Sequence, residues 1–139
     1  VSYADRAAMI ARFGADEVVM LTDRSDTGAI DDANLDDALA GADGEIDGYL
    51  SGRYATPVQA SRRVQDLACD IARYRLCGGP TPVTDEIRDR YKDAIAFLRD
   101  IAAGRANLGG AVDASAEAEN LVEISTGAKL FGRGNGGLI

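Results

Sequence analysis

The run TDEIRDRYKDAIAFLRDIAAG, residues 84–104, carries the strongest structural signal in the chain. Ile87, Tyr91, Ala94, Ile95, Leu98, Ile101 and Ala102 recur at steps of mostly three and four, which gathers them on one face of a 3.6-residue period. Thr84 is placed to cap the first turn, and Asp85 and Glu86 complement the positive end of the helix dipole. The third helical position is Ile87 rather than Glu or Gln, so the capping box is incomplete. Gly104 supplies the stop. Such a helix hides its stripe only against other elements, so its neighbours decide the architecture.

Those neighbours read as helices too. Residues 58–76 turn Val64, Leu67, Ala68, Ile71 and Tyr74 inward, with Pro57 fitting the first turn and the GGPTP run at 78–82 as the end. Residues 31–51 carry Leu35, Leu39, Ala42, Ile46, Tyr49 and Leu50 on one stripe, flanked by Asp32, Asp36, Asp43 and Asp47. Gly41, Gly44 and Gly48 weaken that helix by about 1 kcal/mol each relative to Ala, so it needs packing partners to persist. Two short helices precede it, one from Ser2 or Ala4 to Phe13 with Gly14 as its stop, the other over residues 16–21. After Arg105 the character changes: 8 of the 16 glycines fall between Gly104 and Gly137. Residues 121–125 alternate weakly, as a strand would, and residues 132–137 read as a flexible end. Fully extended, this tail reaches on the order of 100 Å. The expected fold is mostly α. A small bundle of about four to five helices over residues 1–105 is followed by an extended, glycine-rich arm over 106–139, with room for a short strand or hairpin.

At 139 residues the chain allows one domain and one core. No apolar run approaches the roughly 20 residues of a membrane span, and Asp5, Arg6 and Arg12 interrupt the N-terminal apolar pattern, which points to a cytosolic protein without a signal peptide. Cys69 and Cys77, about 12 Å apart along one helix, are too far apart to pair and read as small apolar side chains. The net charge of −8 is lopsided: −9 over residues 1–52, +3 over 53–105 and −2 over 106–139. That distribution suits head-to-tail contact between identical subunits, although both faces could equally be solvated.

Catalytic chemistry has little to draw on. The chain has no histidine, which removes the commonest general acid–base and the Ser–His and Cys–His nucleophiles. Lysine occurs only at Lys92 and Lys129. The GxGxxG at Gly132, Gly134 and Gly137 is followed only by Leu138 and Ile139, so it opens no helix and is no dinucleotide fingerprint. The expectation is a non-enzyme without cofactors. Residues 23–34 resemble a calcium loop, with Asp23, Ser25, Thr27 and Asp31 at ligand positions and Gly28 at the sixth. Asn34 stands where a bidentate Glu is needed, so a polar turn capping the next helix is the better reading and a calcium-responsive module the alternative. The arginine-rich middle segment is interleaved with acids, which favours ion pairing over nucleic-acid binding.

Four blocks resemble one family: MIARFGADEVVMLTDR at 9–24, GAIDDANLDDALAGADGEIDGYLSGRYATPV at 28–58, LACDIARYRL at 67–76 and EIRDRYKDAIAFLRDIAAG at 86–104. Together they cover about three-quarters of the chain and are similar to the gene-product-thirty-six family of Mu-like phages. The most specific parts are EIDGYLSGRY at 45–54 and ACDIARY at 68–74. The resemblance implies a structural protein of the virion neck, a head–tail connector forming a ring, typically twelve-fold, between portal and tail. Genomic DNA would pass through it without sequence-specific binding, and the host cytoplasm would be its site of assembly. A tail-terminator or tail-completion protein is the alternative within that class. In a ring, Asp32, Asp36, Asp43 and Asp47 would meet Arg62, Arg63, Arg73 or Arg99 of the next copy or line the channel. Leu130 and Phe131, in a basic–hydrophobic end that looks like the family's, would make the arm contacts.

Overall fold

The structure, a computed structural model, describes residues 2–77 and 81–108. Five helices follow in order: α1 (Arg6–Phe13), α2 (Ala15–Thr22), α3 (Asp32–Leu50), α4 (Arg62–Leu76) and α5 (Asp85–Ala102). The mostly helical expectation holds among the described residues. The expected strand at 121–125, the arm beyond residue 108, and Leu130 and Phe131 lie outside them.

Four of the five described helices start on a polar side-chain cap. Asp5, Asp31, Ser61 and Thr84 accept hydrogen bonds from the amides of Ala8, Asn34, Val64 and Ile87 respectively. The α1–α2 corner is tighter. Gly14, at φ +93°, ends one helix and begins the other, a backbone conformation that side chains rarely adopt.

Two boundaries differ from expectation. The first helix begins at Arg6 because the residues before it are used elsewhere: Tyr3 and Ala4 are buried, and the Tyr3 amide donates to Asp43 on α3. The fourth begins at Arg62, four residues late. Pro57 sits in a cis peptide rather than in a first helical turn, and the Val58 amide donates to the Tyr3 hydroxyl. Residues 58–61 thus lie across the bundle before Ser61 caps α4.

Helix α4 is the centre, packing against all four others. Nine of its fifteen residues are buried, too many for a single stripe. One side, with Val64, Leu67, Ala68 and Ile71, belongs to the hydrophobic core shared with Leu35, Ile46, Leu50, Leu98 and Ile101. The other side carries Asp70 and Arg73 beneath α1 and α2. The ring contacts Arg63–Phe97 and Tyr74–Tyr91, with the Arg73–Glu86 ion pair, run α4 and α5 antiparallel.

Candidate interaction surfaces

The polar groups that α4 buries are paired inside the fold. Arg12 of α1 grips Asp70 with two hydrogen bonds, at 2.9 and 3.0 Å, and lies 3.4 Å from Asp66. The bond to Asp70 raises the Arg12 guanidinium further above its ordinary range, against the opposing effect of burial. Arg73 donates to Glu17 of α2 at 2.6 Å, reaches Glu86 of α5 at 3.5 Å, and stacks on the Phe13 ring. Only 6% of Arg73 is exposed. Its charge therefore closes α2 and α5 onto α4, and most of the side chain is spent inside the fold. The signal was present: Asp66, Asp70 and Arg73 follow one another at steps of four and three on a helix already apolar on its opposite side.

The acidic flank of α3 is partly covered as well. Asp43 accepts from the Tyr3 amide, Asp47 accepts from the Tyr3 hydroxyl, and Asp32 forms an exposed ion pair with Arg6. Burial, followed by the Asp47 bond, pushes the Tyr3 phenol up to about 12. Asp36 is the member of the set left exposed with no ion pair among the described residues. Of the expected arginines, Arg62 pairs along its own helix with Asp66 and Arg63 lies 4.1 Å over the Phe97 ring. Arg99 is exposed on α5. These three share the end of the bundle where α4 starts and α5 stops.

That end also fixes the chain beyond α5. The Arg53 guanidinium donates to the carbonyls of Ile101 and Ala106, and the Leu108 amide donates to the Tyr54 hydroxyl. At the opposite end Glu45 accepts from Arg75 and from the Tyr91 hydroxyl, whose ring is stacked on Tyr74. Burial, then the Glu45 bond, pushes the Tyr91 phenol up to about 12. The two most specific parts of the family resemblance, 45–54 and 68–74, thus help to tie the bundle together. The roles of Glu45, Arg53 and Tyr54 were not legible from spacing, because their bonds join residues far apart in the sequence.

The loop that resembles a calcium site is closed on itself. Asp23 accepts from the Thr27 amide and hydroxyl and from the Gly28 amide, which hold its carboxyl below the usual carboxylate range. Asp31 is turned onto the start of α3. Among the described residues no group of His, Cys, Asp and Glu is arranged to hold a metal ion. Cys69 is buried and Cys77 half-buried, both as free thiols, and burial pushes Cys69 up to about 12. No described helix is long and apolar enough to cross a membrane.

Comparison with known proteins gives these features a context. Residues 3–125 match the family described as Bacteriophage Mu, Gp36, a span that contains every described helix. The chain belongs to the Mu Gp36 family. It is 33% identical to the Mu-like prophage FluMu protein gp36 of Haemophilus influenzae over 96% of this chain and 94% of that one. It is 28% identical to Gene product J of Escherichia phage Mu, with both chains covered completely. A Gp36-family chain is a protein of Mu-like phages and prophages, and this one is a helical bundle whose polar motifs face inward.

Proposed function

We propose that this Gp36-family chain is a structural protein of the phage neck, a head–tail connector. In this reading copies of it form a ring between portal and tail, twelve-fold to match the portal, and the genome passes through. The observation that carries it is a family match spanning all five helices of a bundle whose charged motifs serve packing rather than a reaction centre. In this reading the chain works by assembly and not by catalysis, which its lack of histidine and the burial of Cys69 support. The end bearing Arg62, Arg63 and Arg99 meets the acidic side of the next copy, where Asp36 and the Asp32 pair are exposed. Any of these carboxylates that line the channel repel phosphate and let DNA slide.

Free in solution the chain is a monomer or a weak oligomer, because ring contacts at polar, exposed side chains give little affinity until many act together. Light scattering on the isolated protein checks this, and a tight closed dimer counts against it. The decisive experiment is separation of heads from tails in a phage carrying this gene, followed by immunoblotting and electron microscopy of the neck. A connector remains with isolated heads as a ring of density below the portal. Recovery with tails alone assigns it instead to tail completion, and absence from particles ends the reading.

A further inference from the structure

Two large apolar side chains stand open on the described surface, Met20 at 58% and Val83 at 37% exposure. Met20 helps wall a cleft of about 380 Å³ between α2 and the start of α5. Leu21, Pro82 and Ile87 complete its apolar lining, and Glu17 and Glu86 set carboxylates beside them. Arg73 lines the same cleft, and its Nη1 is buried without a hydrogen-bond partner. Leaving a buried donor unmet is costly, and a docked main-chain carbonyl would meet it.

We propose that this cleft seats Lys129-Leu130-Phe131 from the arm of a second copy of the chain. The match is one of chemistry. Phe131 is the single aromatic residue after Leu108, Leu130 precedes it, and the cations Lys129 and Arg133 bracket the pair. An apolar couple between positive charges answers an apolar cleft edged by Glu17 and Glu86.

The arm and the cleft belong to opposite ends of the bundle, which lets one copy serve the next. The arm leaves from beyond the C-terminal end of α5, anchored there by Arg53 and Tyr54, whereas the cleft lies at the N-terminal end of the same helix. Eighteen residues of helix separate the two ends by about 27 Å. The 21 residues between Leu108 and Leu130 reach about 70 Å when extended, enough to cross to an adjacent copy. Each chain then offers an arm at one end and a seat at the other, a heterologous contact that closes into a ring when the rotation allows. The proposal deepens the connector reading by naming the joint between subunits.

The test uses two full-length variants, one with Met20→Cys and one with Leu130→Cys, mixed under mild oxidation and mapped by tryptic mass spectrometry. Each variant mixed with the unsubstituted chain accounts for Cys69 and Cys77. The expected result is a disulfide between the two introduced thiols across chains, formed about tenfold more slowly when Glu86→Lys is added to the acceptor. Glu86 is 57% exposed at its side chain, and Arg73 keeps its shorter pair with Glu17 when Glu86 is replaced. A chain carrying both substitutions that closes only on itself overturns delivery from a second copy. Absence of the cross-link in both formats overturns the seat altogether. Neither outcome touches the neck assignment, which the separation of heads from tails decides independently.

Discussion

Without its guanidinium at residue 73, Glu17 and Glu86 would face one another across a cleft with no cation between them. Replacing Arg73 by Met keeps the volume but breaks the buried pair. The expected loss is about 3 kcal/mol, at the low end for such pairs because Glu86 is half exposed. Urea denaturation measures it, and a loss below about 1 kcal/mol would mark the pair as no stronger than a surface bridge. The protonated groups give a second prediction. Cys69 moves from 9.0 to about 12, and Tyr3 and Tyr91 from 10.0 to about 12. Between those limits the folded chain holds protons that the unfolded chain has released, so stability is full below about pH 9 and falls as pH rises toward 12. Denaturation midpoints at pH 8 and pH 10.5 check the sign. A midpoint that holds or rises at pH 10.5 contradicts the burial of these groups.

Helix α3 shows how a weak element is held by its surroundings. Its three glycines lower helix propensity, yet Leu35, Leu39, Ala42, Ile46 and Leu50 are buried and its flank is bonded to Tyr3. The glycines are not equivalent. A Cβ on Gly41 would fall 2.3 Å from Arg75 Nε and disturb the Glu45 pair, whereas Gly44 and Gly48 face open space. Gly44→Ala and Gly48→Ala should therefore each stabilise the isolated chain by about 0.5–1 kcal/mol, read as a higher melting temperature. Gly41→Ala should gain less or lose. Equal gains at all three positions would mean that Arg75 does not lie over the helix. The stripes on α3, α4 and α5 were legible because period 3.6 is a local property. The start of α4 was not, since the docking of residues 58–61 depends on Tyr3, 55 positions away from Val58.

The whole molecule is acidic by eight charges, and its described arginines mostly have partners at home: Arg6, Arg12, Arg62, Arg73, Arg75, Arg88, Arg90 and Arg105 all make ion pairs. A chain so arranged should not retard duplex DNA even at low salt, where counterion release most favours binding. A gel shift at about 50 mM salt, lost at about 200 mM, would show an accessible basic face and would argue against frictionless passage of the genome.

Helix count, the apolar stripes and the family were properties of the sequence alone, because hydrophobic period, capping residues and motif identity are written within short windows. Which charges remain available was settled only by tertiary structure. Asp43, Asp47, Asp70 and Arg73 look alike in sequence to Asp36 and Arg99, and only packing puts the first four against Tyr3, Arg12, Glu17 and Glu86. The reason is that a charged side chain is silent about its partner until distant elements meet, whereas an apolar stripe declares its buried side through its own repeat.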